Sequence, residues 1–201
     1  PYIASTHVYD QMIVKPIFHE GSLIAWTGSM THTADTGGVM RGGATEIFHE
    51  GVRSRGIKLV EGEVLRKDVF LNLTDQCRDP EYVGLDLKSR IAANNVCARG
   101  FRQLIDKYGI EFINAANAKL IADSEAMARS RLRSLPDGIW RAVTYGSATD
   151  IRSGDAKTLR VVCTMTKKGD SVVFDFEGSS AQNEDAGNLT RVGSWGQLFV
   201  A

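Results

Sequence analysis

The chain has 201 residues, 43% of them hydrophobic, enough to bury a core as one large domain or two small ones. Lysine plus arginine and aspartate plus glutamate stand at 24 each, so no net field favours nucleic acid or an anionic membrane; a small or neutral partner is expected. Cys77, Cys97 and Cys163 are widely spaced with no Cys-x-x-Cys, which fits a reducing cytoplasm, and no apolar run approaches the roughly 20 residues a bilayer crossing needs.

"QMIVKPIF" and "SLIAWTGSM", joined by "HEG", read as a β-hairpin in which Gly21 supplies the positive φ of a tight turn. Residues 33–56 are rich in glycine and read as an extended loop. "GIKLVEGEVL" follows as a short strand and turn, and "RKDVFLNLTDQC" as a short helix. Arg78 and Asp79, before Pro80, are expected to cap the next helix start. From about Leu85 the period becomes helical: Leu87, Ile91, Asn94, Ala98, Phe101, Ile105 and Tyr108 share one face, and Gly109 stops it. Ile113, Ala116, Leu120, Ser124, Met127, Arg131 and Leu135 continue the spacing to "PDG", giving a second long helix expected to lie antiparallel to the first. "GIWRAVTYG", "TLRVVCTMT" and "SVVFDFEG" are strands, the last two a hairpin about "KKGD". The expected class is α+β: a β-hairpin and mixed or antiparallel strands packed with two long antiparallel helices. The expected divisions are 1–80 (hairpin and glycine-rich loop), 81–136 (helical pair) and 137–201 (a second hairpin region). The opening on Pro1 and the end inside "SWGQLFVA" read as a fragment of a larger multidomain subunit.

The chemistry concentrates in "THTADTGGVMRGG", residues 31–43. An aspartic protease needs two Asp-Thr-Gly turns whose carboxylates share a proton, and only one is present. Amides near Gly37 and Gly38 suit an anion nest, but no further phosphate motif accompanies them. A metal reading draws on a repeat: His32 and Asp35 are spaced H-x-x-D, and His7 and Asp10 repeat that spacing before the first strand of the hairpin. An antiparallel hairpin brings its two ends together, so two imidazoles and two carboxylates can converge on a divalent ion. The alternative is that these side chains only cap turns and bond local amides. His19 and His49, both in "FHEG", read as turn residues; Asn94 reads as a satisfied core amide, with presentation of Asn94 or Asn95 to a pocket as the alternative. Asp175 and Glu177 read as solvated.

"PYIASTHVYDQMIVKPIFHEGSLIAWTGSMTHTADTGG", "IFHEGVRSRGIKL", "RDPEYVGLDLKSRIAANNVCARGFRQLIDKYG", "LPDGIW" and "VVFDFEGSSAQNEDAGNLT" resemble, in order, the successive blocks of the hydantoinase B family. The chain departs from the family pattern at Ala4, usually glycine, and at Thr36, often aliphatic. The resemblance implies ATP-dependent enzymes acting on hydantoins, 5-oxoproline and lactams, or carboxylating acetone and acetophenone. It implies metal ligands at His7, Asp10, His32 and Asp35, with His32 and Asp35 catalytic, and a divalent metal that is zinc, manganese or iron. It also implies a hydantoinase A-like partner subunit that uses ATP, a possible small accessory subunit, and bicarbonate or carbon dioxide as co-substrate, all in the cytoplasm. "THTADTGG" with the "RDPEYVGLDLKSRIAANNVCARG" block is closer in likeness to the ketone carboxylases than to the oxoprolinases. That subunit would carboxylate an enol phosphate made by its partner; in the alternative, cyclic amides are opened by water.

Overall fold

The computed structural model describes residues 7–39, 44, 46–150, 153–183, 188 and 190–200; Ala4 and the second glycine pair, Gly42 and Gly43, lie outside the described residues. The architecture is α+β, with antiparallel sheets and long helices. Two compact units are formed, Pro1–Gln103 with Asn188–Ala201, and Leu104–Gly187. Among the described residues no helix is long and apolar enough to cross a membrane.

In the first unit, β1 (Asp10–His19) and β2 (Ser22–His32) pair antiparallel from Asp10↔His32 to His19↔Ser22, with a bulge between Ile17 and Phe18. The turn places Gly21 at φ 78° and Glu20 at 49°, the two left-handed residues whose twist matches the flanking strands. Alternation then assigns the faces. Ile13, Lys15, Ile17, Thr27 and Ser29 point inward, while Met12, Val14, Trp26 and Met30 are exposed on the outer face.

β3 (Val60–Glu61), β4 (Val64–Leu65) and α1 (Lys67–Thr74) follow. Together with the start of α2 (Pro80–Tyr108) they enclose a small core of Leu59, Val83 and Leu87, against which Ile13, Phe70, Leu73 and Ile91 pack. Asp79 Oδ1 accepts from Tyr82 N at 3.0 Å and caps α2, as expected, whereas Arg78 turns to another task described below. The inner face of the hairpin is fastened to α2 by polar groups. Arg90 Nη1 donates to Gln11 O (3.1 Å), Asn94 Nδ2 to Ile13 O (2.8 Å), Thr27 Oγ1 to Asn94 Oδ1 (3.3 Å), Lys15 Nζ to Asn95 Oδ1 (2.8 Å) and Ser29 Oγ to Arg90 O (3.1 Å). Asn94 is thus a satisfied core amide, as expected, while Asn95 lines a shallow cavity with Val60, Leu65, Lys88 and Ile91.

The second unit holds α3 (Ile110–Ser134) and a meander of β5 (Gly138–Thr149), β6 (Ala156–Lys168) and β7 (Ser171–Asp175). The β6–β7 hairpin forms as expected; β6 pairs also with β5, over twelve registered positions. Gly109 alone, at φ 80°, separates the two long helices. The expected inner stripe of α3 is buried at Ile113, while Leu120 and Met127 are exposed. A last helix, α4 (Arg191–Val200), belongs to the first unit and starts on a Thr190 Oγ1 that accepts from Gly193 N at 3.1 Å.

Candidate metal centre

The open end of the hairpin is held by one carbonyl. Tyr9 O accepts from Thr33 N (2.9 Å) and from Gln11 N (3.0 Å), which ties the entry of β1 to the exit of β2. Thr33 and Val8 are buried behind it. Asp10 and His32 are the terminal pair of the ladder, so their side chains leave the same face directly opposite each other. His7 is brought in by the turn before β1. Asp10 Oδ2 lies 3.4 Å from His7 Nε2 and Asp10 Oδ1 lies 3.3 Å from His32 Nδ1, so the carboxylate stands between two imidazoles whose centroids are 4.9 Å apart at 84°.

One donor atom from each of His7, Asp10 and His32 falls within 4.8 Å of the others. Ligands about 2.1 Å from a zinc-sized ion stand about 3 to 4 Å apart, so a small inward movement would seat one. Two imidazoles and a carboxylate suit zinc, manganese or iron and leave coordination positions open. The side chains are 39% (His7), 18% (Asp10) and 47% (His32) exposed, so the group is open to solvent.

Asp35, expected as a fourth ligand, lies outside this group and is otherwise engaged. Its Oδ2 accepts a short hydrogen bond from Arg78 N, and its Oδ1 accepts from Arg78 Nη1 (2.7 Å) and Gly37 N (3.1 Å). Burial pushes the Asp35 carboxyl up, but the Arg78 and Gly37 amides and the Arg78 guanidinium outweigh it and hold the group below its ordinary value. Arg78 also bonds Gly38 O, and Cys77 Sγ lies 3.6 Å from Asp35 O. Asp35 therefore clamps the chain leaving β2 onto the segment that joins α1 to α2.

The described glycines of the loop serve packing. A Cβ on Gly37 would meet Gln76 O at 2.1 Å, one on Gly38 would meet His49 O at 2.4 Å, and one on Gly51 would meet Thr36 O at 2.1 Å. The Gly37 amide donates to Asp35 Oδ1 (3.1 Å) and the Val39 amide to His49 O (2.7 Å), so two of the donors an anion nest here would use are already taken. Thr36 is buried and donates to Glu50 O at 2.8 Å, so its hydroxyl is satisfied. His19 closes the hairpin and His49 lies in a turn beside Glu46, as expected. One residue of the site carried no sequence signal: the Tyr9 ring stacks on His32 (5.2 Å between centroids, 9° between planes) and meets His7 at 6.0 Å and 75°. Only its place between two paired H-x-x-D ligands could have marked it.

The sequence and the α+β fold of this chain have counterparts among known proteins. Over residues 1–199 the sequence matches the family described as hydantoinase B/oxoprolinase, and the chain belongs to that family. It is 31% identical over 175 residues to the acetophenone carboxylase delta subunit of Aromatoleum aromaticum, covering 85% of this chain and 25% of that one. The solved nucleotide-free structure of acetone carboxylase matches with a TM-score of 0.92 at 25% identity, over 99% of this chain and 28% of that one. The crystal structure of the ATP-dependent caprolactamase from Pseudomonas jessenii matches with a TM-score of 0.86 at 27% identity, over 97% and 34%. The chain thus spans about a quarter to a third of the length of these three proteins.

Proposed function

We propose that this chain provides the metal-binding part of an ATP-dependent carboxylase acting on a ketone of the acetone or acetophenone type. The observation that carries the reading is the convergence of His7, Asp10 and His32 on the outer face of the hairpin, with the group open to solvent. The similarity to an acetophenone carboxylase subunit and to acetone carboxylase supports the choice of substrate. A divalent ion held there supplies positive charge opposite an oxygen on which negative charge develops. The residues of this chain bind and orient. Asp10 separates and aligns the imidazoles, Tyr9 fixes the plane of His32, and the Asp35–Arg78 clamp sets the path of the chain just after it.

ATP is used by a hydantoinase A-like partner subunit, with a small accessory subunit as a further component and bicarbonate or carbon dioxide as co-substrate. The likeness to caprolactamase supports a second reading, in which the same centre opens cyclic amides with water. Assay of the full-length subunit in its assembled complex separates the two. ATP-driven, bicarbonate-dependent consumption of acetone or acetophenone is expected. Turnover restricted to hydantoin, 5-oxoproline or caprolactam, without need of bicarbonate, would overturn the carboxylase reading in favour of the second.

A further inference from the structure

The sheet of the second unit has an open side. β6 lies between β5 and β7, so β5 is an edge strand along its whole length. The hydrogen bonds of β6 fix which way the β5 backbone groups point. Arg160 N and Val162 N donate to Ser180 Oγ and Ser179 Oγ, both at 2.9 Å, on the β7 side, so the even residues of β6 face away from β5 and the odd ones face it. Val161 pairs with Thr144, which makes the even residues of β5 the inward ones. Asp150 N, donating to Asp155 O at 2.8 Å, continues that parity past the strand end. The N–H and carbonyl groups of Ile139, Arg141, Val143, Tyr145, Ser147 and Thr149 therefore point out of the sheet edge, and among the described residues none of them has a hydrogen-bond partner.

Such a row, about 34 Å long, is a template that only another extended strand matches. The devices that blunt an edge are missing: β5 holds no proline, no lysine and a single charge, Arg141, and residues 139–147 are exposed. We infer that β5 is the interaction surface for a second copy of this chain, whose β5 adds antiparallel to it about a two-fold axis at Thr144 and joins two three-stranded sheets into one. The sequence of the strand carries that choice of partner. With the axis at Thr144 every outward residue finds an outward partner, Ile139 with Thr149, Arg141 with Ser147 and Val143 with Tyr145. Moving the axis to Val143 or Tyr145 leaves Thr149 or Ile139 unpaired. The pairs suit one another as well. A β-branched residue stands beside an aromatic one at Val143–Tyr145, Thr144 stands beside its own copy, and Trp140 falls opposite Ala148, so no two bulky side chains collide. Arg141 meets a hydroxyl and not its like. A two-fold pairing of this kind also closes both edges at once and cannot propagate.

This pairing is independent of the metal centre, and its test places charges on the axis. Thr144 is exposed, so Thr144→Lys and Thr144→Glu are expected to leave each copy folded, while each sets two like charges directly opposite one another. The full-length subunit is followed by sedimentation equilibrium as wild type, as each variant and as an equal mixture of the two variants. The expected result is a wild-type dimer and association weakened at least about tenfold in each variant alone. In the mixture, where lysine faces glutamate, association should return to within about threefold of wild type. Misfolding cannot produce such a rescue. A monomeric wild type, a dimer indifferent to both variants, or a weakening that the mixture does not reverse would each overturn the inference. Amide hydrogen exchange reads the same edge. Protection of the Val143 and Tyr145 amides in a monomeric subunit would show that another part of the full-length subunit holds β5, and would overturn the inference as well.

Discussion

The two faces of the first hairpin are built on opposite principles. The inner face is a polar seam in which α2 side chains reach the backbone and hydroxyls of β1 and β2, and its central members are almost fully buried, Arg90 at 2% and Asn94 at 1%. The outer face carries half-exposed imidazoles, one carboxylate and a row of uncovered apolar side chains. Burial with hydrogen bonding fixes geometry, and exposure leaves valence to spare. The comparison teaches that the strands are positioned from behind, so the side chains in front are free to act on something else.

The largest expected effect comes from breaking the inner face. Arg90→Ala removes the donor to Gln11 O beside the first ladder pair and empties a buried volume, at a cost of about 3 kcal/mol in urea unfolding. Arg90 is not ideally served, since its Nε and Nη2 have no hydrogen-bond partner among the described residues and Asp86 Oδ2 is 4.0 Å away. Arg90→Met, which keeps bulk and discards the desolvated charge, is therefore expected to cost at least about 1 kcal/mol less than Arg90→Ala. Equal losses would mean that the charge itself holds the strand.

Much of this arrangement could be read from residue order, and the reasons for the rest are physical. Alternation and a two-residue turn announce a hairpin, and a spacing repeated at both its ends announces that His7, Asp10 and His32 will meet. Asp35 looked equivalent in sequence because nothing local marks its clamp; Arg78 is 43 residues further on. Gly37 and Gly38 suggested an anion nest, yet these two and Gly51 are each needed because another backbone passes within a Cβ of it, which only tertiary packing reveals. The periodicity of α3 specified a helix correctly but not what would cover its stripe. The β5–β6 pairing was not read although Ser153, Gly154 and Asp155 mark a turn, because the connection from Asp150 to Asp155 is longer than a two-residue hairpin turn, and α4 was hidden because an apolar run without a strong stop resembles a strand as much as a helix.

An intermediate effect is expected where the outer face meets its support. Asp35→Asn loses the charge that Arg78 and two amides recognise, at a cost of about 2 kcal/mol at neutral pH. The sign of the pH dependence follows from the depressed carboxyl. Asp35 contributes fully above the unfolded value, near pH 4, and its contribution fades as pH falls through the lower folded value. Urea midpoints of wild type and variant should therefore differ by a constant amount from pH 7 to pH 5 and converge below about pH 4. A gap that persists unchanged at pH 3 would show that the Asp35 charge is not what the clamp uses.

The smallest effect on folding is expected in front, where the comparison is sharpest. His32→Ala removes a side chain that is 47% exposed and whose polar contact is Asp10 Oδ1 at 3.3 Å, so the metal-free subunit should keep its urea midpoint to within about 0.5 kcal/mol. Metal content after dialysis against a measured free concentration should nevertheless fall at least about tenfold, because one of three converging donors is gone. The two numbers together decide between a working centre and a staple. A side chain that costs little when the ion is absent and much of the ion's affinity when it is present is holding the ion, whereas a loss of about 2 kcal/mol in the metal-free chain would place His32 with Arg90 and Asn94 among the residues that fix the hairpin.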